Sequence, residues 1–482
     1  MTYSRKDNRI IIYLTLLISS FITFFFWFVL REFNRGMCDG FDQAVYRQII
    51  WTTLHGKFFW CSFLGDNGIT DLMMHTNLSL LLLLPVFKFF NSSATLLIIH
   101  AFFLGIAALP VYLIAKEKIN SRCGILFAVF YLTNTFTIQA LIEGFQTRSL
   151  SVPIFFLAFY LLIKKRYLWF NLTLVLLCLT HEINCSVVFM LGIYVIFAQR
   201  RFKHGLVISF LSLGWFIFVV KFLFLYLGNS GPLEALKFIA EGKTLSGVNE
   251  IVGYCFLHPV EIAQRCFVQA KLDYFLRLFL PLGFLSLASP GELLIGFPIF
   301  LQNFILSQHL IRVEVPRYTM TLLPFIFISA IYSFAYLSRK FKSQWKYIVV
   351  LVIVCWSLSV YRFIWDPEYN PRFLQVLSPI SKETAAHREA LKRMVRLVPK
   401  NASVSADLRA LPFLADRFKL YDLPLHIVDA EYILIDKKEP TISPKAAMPE
   451  KEYLEIIDQL LISANYEVAE NLDGIILLKK RR

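Results

Sequence analysis

Long apolar stretches separated by short polar loops run along most of this 482-residue chain. The first stretch, Ile10 to Leu30, follows a short basic segment and precedes no small-residue cleavage site, so it predicts an uncleaved membrane anchor. A helix needs about 20 apolar residues to cross a bilayer. Comparable stretches lie near residues 94–115, 123–141, 149–163, 167–180, 183–199, 206–227, 272–288, 292–308, 318–338 and 347–364. The pattern predicts an α-helical polytopic membrane protein with about 11 spans.

The loops between these stretches are rich in lysine and arginine, as is typical of cytoplasmic loops. They contain Lys116, Lys118 and Arg122; Lys164, Lys165 and Arg166; Arg200, Arg201 and Lys203; and Arg339, Lys340, Lys342 and Lys346. An even number of predicted spans separates these loops, which places the N-terminus in the cytoplasm and residues 31–75 outside. The formal charge of +15 follows from this distribution and requires no nucleic-acid partner.

Residues 75–90, HTNLSLLLLLPVFKFF, form an apolar segment that is too short for an ordinary span. If this segment crossed the bilayer, every later basic loop would be placed outside. It also contains Pro85 and Lys88. We therefore expect an interfacial or re-entrant helix on the outer face.

Residues 366–482 differ from the rest of the chain because they are rich in charge and lack long apolar stretches. NASVSA, FKLYDL, EYILID, YEVAE and GIILLKK predict short strands, and PEKEYLEIIDQLLISAN predicts an amphipathic helix. The sequence thus predicts a transmembrane domain over residues 1–365 and a small α/β domain over residues 366–482. The parity of the spans places the second domain outside the cytoplasm.

Composition and motifs exclude several classes of protein. Hydrophobic residues make up 57% of the chain, charged residues 17%, and the mean hydropathy is +0.59. The chain has no P-loop, dinucleotide-binding fingerprint or HExxH motif, so nothing favours ATP hydrolysis, nicotinamide chemistry or a zinc protease. Four cysteines are predicted outside, namely Cys38, Cys61, Cys255 and Cys266, and three disulfide pairings of them are open.

Many polar side chains are predicted to lie at the outer ends of the spans. They include Asp39, Asp42, Arg47, His55, Asp71, His75, Gln146, Arg148, His181, Glu182 and Arg317. Ionisable groups close to the membrane are costly to bury and are often functional, and together they would form a polar cavity.

Structural roles stay open for several of these polar residues. Asp39 is also a good N-cap for a helix from Gly40 to about His55, the arginines are also suited to lipid headgroups, and His181 with Glu182 to a structural pair. His100, inside a span, is expected to hydrogen-bond to another helix.

Several segments resemble a bacterial family of predicted multi-spanning membrane proteins of unknown function. The segments are DGFDQAVYRQIIWTTLHG, MHTNLSLLLLLPVF, GFQTRSLSVP, LTHEINCSVVF, SPGELLIGFP, RYTMTLLPFIFISAIY and LVPKNASVSADLRALPFLADRFKLYDLP. The chain departs from the family pattern at Gln146 and Thr147, where His-Pro is usual, at His181, where Lys is usual, and at Arg317, where His is usual. The family in turn is similar to the GT-C membrane glycosyltransferases.

This resemblance implies a GT-C-like fold and transfer of a sugar from a polyprenyl-phosphate carrier to a lipid, glycan or protein acceptor on the outer face of the bacterial inner membrane. It implies a catalytic carboxylate in the first outer loop, where Asp39 is the expected base and Asp42 the alternative base or orienting group. The residues expected to bind substrate are His55, His75, Gln146, Arg148, His181, Glu182 and Arg317. Arg148 and Arg317 would bind phosphate. No cofactor is expected to be required, and a divalent metal is possible.

Two other classes of function stay open from the sequence. A transporter or flippase for lipid or polysaccharide would need polar groups along both halves of the membrane, whereas here they gather at the outer side. A non-catalytic envelope assembly protein would function through its C-terminal domain. The sequence identifies neither the sugar nor the acceptor.

Overall fold

A computed structural model describes residues 5–37, 40–65, 68–224, 253–254, 257–266, 268–305, 315–342, 344–366, 371–442 and 448–481. Asp39, predicted as the base, lies outside the described residues, and so do Cys38 and Cys255. The position of the Asp39 carboxylate and the pairing of the cysteines therefore stay predictions.

Helices dominate the described part of the chain. The first eleven are α1 Arg5–Asn34, α2 Gly40–Leu54, α3 Leu84–Phe89, α4 Ser93–Ile106, α5 Ala108–Lys118, α6 Ser121–Leu132, α7 Thr135–Glu143, α8 Thr147–Ile163, α9 Tyr167–Thr180, α10 Asn184–Phe197 and α11 Phe202–Phe218. The next seven are α12 Pro259–Cys266, α13 Gln269–Phe279, α14 Pro290–Leu293, α15 Phe297–Ile305, α16 Val315–Thr319, α17 Leu323–Lys340 and α18 Trp345–Trp365. The C-terminal region adds α19 Pro371–Leu377, α20 Lys382–Leu397, α21 Leu411–Leu414 and α22 Glu450–Ile462.

Four helices in the described ranges are long and apolar enough to cross a membrane: Arg9–Asn34, Ser93–Lys118, Phe202–Phe222 and Trp345–Trp365. The number rises to five if α6 and α7, whose axes are bent by 41° at a short break, form one broken span. Several predicted spans are instead shorter apolar helices. The predicted runs at 272–288 and 292–308 are broken by 3-10 turns at Leu280–Leu282, Leu285–Ala288 and Leu294–Gly296. The first break contains Pro281, which cannot donate a backbone hydrogen bond.

The spans pack around one large apolar core that is rich in aromatic rings. Its buried members include Phe28 of α1, Tyr131 of α6, Phe156 of α8 and Phe327 of α17. The Tyr131 ring meets the rings of Phe156 and Phe327 edge to face, with centroids 5.5 and 5.6 Å apart. Such pairs add to the stabilisation that burial provides, so this core fixes the ends of the helices relative to one another.

A two-stranded ribbon in the first loop consists of β1 Trp60–Cys61 and β2 Ile69–Thr70. The C-terminal region contains β3 Val404–Ala406, β4 Leu420–Asp422, β5 Tyr432–Asp436, β6 Tyr466–Leu472 and β7 Ile475–Lys480. These five strands form one sheet in the order β4-β3-β5-β7-β6. Strands β4, β3 and β5 run parallel to one another. Strand β7 runs antiparallel to β5, and β6 runs antiparallel to β7. Each predicted strand and the predicted helix α22 are confirmed, and α19, α20 and α21 are additional helices that the sequence did not predict.

A second apolar core joins the first loop to the C-terminal domain. It combines Ala44 and Ile49 of α2 with Leu411, Leu414 and Leu420 of the C-terminal domain. Helix α2 begins at Gly40 and ends at Leu54, as the capping pattern predicted. Most of its residues are buried because the sheet domain covers one side and the loop residues another. The C-terminal domain therefore helps to position the helix that follows Asp39.

The apolar segment 75–90 folds as a 3-10 helix, Leu78–Leu83, followed by α3. Leu80, Leu83 and Phe87 are buried in the same core as α2. The segment thus packs beside the first loop. Its failure to cross the bilayer stays a prediction.

Candidate active site

Helix α2 carries Asp42 in its first turn, where two other elements reach its carboxylate. Gln146, at the start of α8, donates from Nε2 to Asp42 Oδ2 over 2.5 Å. Arg317 of α16 donates from Nη1 to the same oxygen over 2.8 Å. The Asp42 and Arg317 side chains are 24% and 21% exposed, so this ion pair is partly open to solvent. Three predicted site residues that lie far apart in the sequence thus meet at the Asp42 carboxylate.

Tyr46 extends this cluster because it lies one helical turn after Asp42. Its hydroxyl donates to Gln146 Oε1 over 3.3 Å. Residues four apart on a helix share a face, and this spacing is the signal that would have identified Tyr46. Burial raises the pKa of Tyr46, and the carboxylates of Asp42 and Asp71 raise it further. Tyr46 therefore stays a neutral hydrogen-bond donor.

A buried carboxylate, Asp71, lies beside this cluster and was not among the predicted site residues. Asn77 donates to Asp71 Oδ2 over 2.8 Å, and Thr147 donates to Asn77 Oδ1 over 2.8 Å. Burial raises the pKa of Asp71 to about 6, although the charge of His75 and the hydrogen bond from Asn77 lower it. Asp71 thus titrates close to neutral pH, within the electrostatic reach of Asp42.

Glu182 organises the second half of the site. Its Oε1 lies 3.0 Å from His75 Nδ1 and 3.2 Å from His181 Nδ1. Its Oε2 accepts from the backbone N–H and the hydroxyl of Thr76, over 3.1 and 3.3 Å. Arg148 donates from Nε to His181 Nε2 over 3.0 Å, and its guanidinium lies 4.4 Å from the centroid of the Tyr318 ring. Both carboxylate oxygens of Glu182 are therefore already hydrogen-bonded within the protein.

The charges of this network can be assigned from the causes of its pKa shifts. Burial would raise the pKa of Glu182, but His181 and His75 hold it below its usual 4.5. Burial lowers the pKa of His181 well below 6.5. A neutral His181 can accept the hydrogen bond from Arg148 at Nε2. Burial would also lower the pKa of His75, but the Glu182 carboxylate raises it above 6.5, so His75 and Glu182 form the ion pair.

The stability of the protein is expected to depend on this pair in a defined pH range. A raised pKa means that the contribution of His75 is fully present below pH 6.5 and is lost as the pH rises through the raised value. The contribution of Glu182 is present above pH 4.5 and is lost as the pH falls through its lowered pKa. The melting temperatures of wild type and His75→Gln should therefore differ most between pH 4.5 and pH 6.5, and they should converge at alkaline pH. A difference that does not vary with pH would contradict the assignment, and His55→Gln serves as the control.

His75, His181 and Glu182 are also the residues that could hold a metal ion, since one ligand atom from each lies within 4.8 Å of the others. Two histidines and a carboxylate are a donor set that zinc uses. A metal-bound histidine usually donates its other ring nitrogen to an acceptor. Here His181 Nε2 faces a donor, the Arg148 guanidinium. The hydrogen bonds thus fit an ion-paired network better than a metal centre.

His55, predicted to bind substrate, contacts none of the other predicted site residues in the described part of the chain. Its ring stacks on Trp51 with centroids 4.0 Å apart, and Nδ1 lies 2.7 Å from the Trp51 carbonyl oxygen. Phe418 of the C-terminal domain lies edge-on to the ring, at 6.5 Å. Its role in substrate binding stays a prediction without geometric support.

Two structural expectations were wrong. Arg47 is buried rather than available to lipid headgroups, because it donates from Nη1 to the Pro412 carbonyl over 2.5 Å and pairs with Asp416 at 3.5 Å. His100 lies buried beside the Phe145 ring, and neither ring nitrogen has a hydrogen-bond partner among the residues that the structure describes. Arg47 therefore anchors the C-terminal domain, while His100 makes no hydrogen bond to another helix within the described ranges.

Comparisons with known proteins agree with this architecture. A model of the DUF2079 family, described as a predicted membrane protein, matches residues 37–477. No curated protein matches the sequence significantly. The crystal structure of ArnT from Cupriavidus metallidurans bound to undecaprenyl phosphate is similar, with a TM-score of 0.53 and 10% identity over 96% of this chain and 97% of that chain. The Archaeoglobus fulgidus oligosaccharyltransferase complex with Zn and sulfate has a TM-score of 0.44 and 14% identity, over 82% of this chain and 64% of that chain.

The similarity to ArnT extends over nearly the whole of both chains and identifies the fold as GT-C. The predicted fold class, an α-helical polytopic membrane protein of GT-C type with a small C-terminal α/β domain, is therefore confirmed. At 10% identity the similarity concerns the fold alone. The second similarity falls below a TM-score of 0.5 and supports no argument about function.

Proposed function

This chain belongs to the DUF2079 family of predicted membrane proteins, and we propose that it is an inverting glycosyltransferase that moves a sugar from a polyprenyl-phosphate carrier to an acceptor. Its fold is that of the GT-C glycosyltransferases. The reaction would take place on the outer face of the inner membrane, with the N-terminus in the cytoplasm. The acceptor would be a lipid, a glycan or a protein.

The observation that carries this proposal is the meeting of acidic and basic groups from separate elements at one end of the bundle. Asp42, Gln146 and Arg317 meet at one carboxylate oxygen. Arg148 lies in the adjoining network around Glu182. Fixed guanidinium groups suit a phosphate leaving group because they bind it with paired hydrogen bonds. Apolar helices below them suit a polyprenyl chain.

The proposed reaction is a single displacement at the anomeric carbon. The acceptor hydroxyl attacks that carbon, and Asp39 takes the hydroxyl proton as general base. The bond between the anomeric carbon and the phosphate oxygen breaks, and the polyprenyl phosphate leaves with the bonding electrons. The oxocarbenium-like transition state needs no acid on the leaving side, because Arg148 and Arg317 would stabilise the phosphate charge.

Asp42 is assigned an orienting role rather than that of the base. Its Oδ2 already accepts hydrogen bonds from Gln146 and Arg317, and these two contacts fix the position of the carboxylate. Glu182 is likewise engaged on both oxygens, so it holds His75 and His181 in place. The His75 side chain is 36% exposed and is the better group to contact a sugar hydroxyl.

The proposal is tested with the purified full-length protein and a panel of undecaprenyl-phosphate-linked hexoses and pentoses, together with membranes that contain potential acceptors. Release of undecaprenyl phosphate with one of these donors is the expected result. Movement of the donor between the leaflets of a vesicle without release would favour a transporter or flippase. No release, no movement and no carrier binding would favour a non-catalytic assembly protein.

Arg148→Gln is expected to raise the KM for the carrier-linked donor by about 10–100-fold. A hydrogen bond to a charged group contributes about 1.5–3 kcal/mol, and each 1.4 kcal/mol corresponds to about tenfold in binding. Initial rates over a range of donor concentrations measure the change. The matched control is Arg166→Gln, which should change KM by less than about threefold because Arg166 is exposed in a loop that the sequence predicts to be cytoplasmic. Equal effects of the two variants would contradict the assignment.

A further inference from the structure

A cavity of about 480 Å³ lies among α6, α17 and α18. Its lining combines the basic side chains of Arg122 and Lys342, the polar Ser338, and the apolar Leu126, Phe334 and Val349. The residues come from the start of α6, the end of α17 and the start of α18. The cavity is therefore formed where three helices meet at one end of the bundle.

This cavity is separate from the candidate active site. Helix α17 starts a few residues after Arg317, which pairs with Asp42, and ends at Lys340 beside the cavity. Its 18 residues separate the two ends by about 27 Å at the rise of an α-helix. The cavity thus lies at the end of the bundle that the sequence predicts to be cytoplasmic, and Asp42, Gln146 and Arg317 are not among its lining residues.

The rim of the cavity is positively charged. Arg122 and Lys342 are both exposed at its edge, and Arg339 and Lys340 end the neighbouring helix. None of the described residues that line the cavity is acidic. The nearby Glu117 is paired with Lys164 at 2.7 Å, so it does not neutralise this rim. An anionic group would meet two cations here that have no acidic partner among the lining residues.

The wall of the cavity is apolar, and α18, which is long and apolar enough to cross a membrane, adds exposed apolar side chains. Leu126, Phe334 and Val349 line the wall. Beyond them, α18 exposes a strip of apolar side chains, namely Val350 at 57%, Leu351 at 54% and Val354 at 57%. Trp345, also in the lining, is 40% exposed at the start of the span, where aromatic rings prefer the membrane interface. Such a surface suits acyl chains.

We propose that this cavity binds the headgroup of an anionic phospholipid. The phosphate would contact Arg122 and Lys342, and the acyl chains would lie along the exposed strip of α18. Basic pockets between spans at the cytoplasmic side are suited to anionic lipid headgroups. A soluble phosphate compound would use the rim alone, whereas a phospholipid would use both the rim and the apolar strip.

The test uses the full-length protein in detergent and native mass spectrometry to count retained lipid. Wild type is expected to retain phosphatidylglycerol at least tenfold more strongly than phosphatidylcholine. The variant Arg122→Gln/Lys342→Gln should lose this preference. A matched control, Arg166→Gln/Lys203→Gln, removes two exposed basic residues outside the cavity and should keep it. Ser338→Trp, which fills the cavity and leaves both charges, should also weaken retention.

Three results would overturn the proposal. Retention of phosphatidylglycerol by Arg122→Gln/Lys342→Gln at the wild-type level would show that the rim cations do not bind the headgroup. Equal retention of phosphatidylcholine by wild type would show that charge is not recognised. Displacement of the lipid by millimolar glycerol phosphate would show that the site binds a free phosphate compound. Melting temperatures near the wild-type value establish that each variant is folded.

Discussion

Asp39→Asn is expected to lower the rate of sugar transfer by about 10²–10⁴-fold, the usual cost of losing a general base. Asp39 directly precedes α2 in the sequence and follows the first apolar stretch, where the resemblance to the GT-C enzymes implies a catalytic carboxylate. Asparagine caps a helix about as well as aspartate, so the free energy of unfolding should change by less than about 1 kcal/mol. The variant should therefore fold and bind carrier lipid but release little undecaprenyl phosphate.

Asp42→Asn is the matched control for this variant. It removes a carboxylate three residues away and should have a milder effect, because Asp42 is held by Gln146 and Arg317. If Asp42→Asn abolishes transfer while Asp39→Asn retains it, the two roles are exchanged. If both variants keep full activity, the proposed glycosyl transfer is wrong.

Gly40→Ala is expected to disrupt the junction between α2 and the C-terminal domain. A Cβ atom on Gly40 would lie 2.1 Å from the carbonyl oxygen of Leu408, which is backbone and cannot rotate away. Overpacking of this kind costs about 1–3 kcal/mol and sometimes more, and here it must move either α2 or the segment after β3. Both a lower melting temperature and a large loss of transfer activity should follow, because α2 carries Asp42.

Gly214→Ala provides the comparison, since an added Cβ at Gly214 meets nothing within 4 Å. That substitution in α11 should be neutral or slightly stabilising, because alanine has the higher helix propensity. Thermal unfolding and initial rates for both variants measure the two effects. Normal stability and activity in Gly40→Ala would mean that the close contact with Leu408 does not position the first loop.

The periodicity and composition of the chain predicted the elements of the fold more reliably than their continuity. The strands of the C-terminal sheet could be predicted because their β-branched residues alternate between short turns. The run at 272–288 was expected to be one span, but α13 ends at Phe279 and a 3-10 turn with Pro281 follows. Hydrophobicity alone does not reveal such breaks, because the residues on both sides remain apolar.

For the candidate site, too, the sequence predicted the types of residue better than it predicted their contacts. Asp42, Gln146 and Arg317 were predicted as polar groups at the ends of different spans, and they meet in the structure. Asp71 was predicted to lie on the outer face, but its place beside Tyr46 depends on Asn77 and Thr147, which the sequence gives no reason to pair with it. His55 matched a sequence block yet packs on Trp51. The sequence predicts which groups are near the membrane surface, whereas packing decides which of them touch.

The core shared by the first loop and the C-terminal domain has a consequence for synthesis. The Ser62 hydroxyl donates to the carbonyl of Leu420, and 358 positions separate these two residues. At a translation rate of about 5–20 residues per second, roughly 20–70 s pass between the appearance of the two partners. During that time α2 has no C-terminal domain to cover its buried face. A nascent chain therefore cannot assemble the first loop until nearly all of it has been made, and an incomplete chain should be inactive.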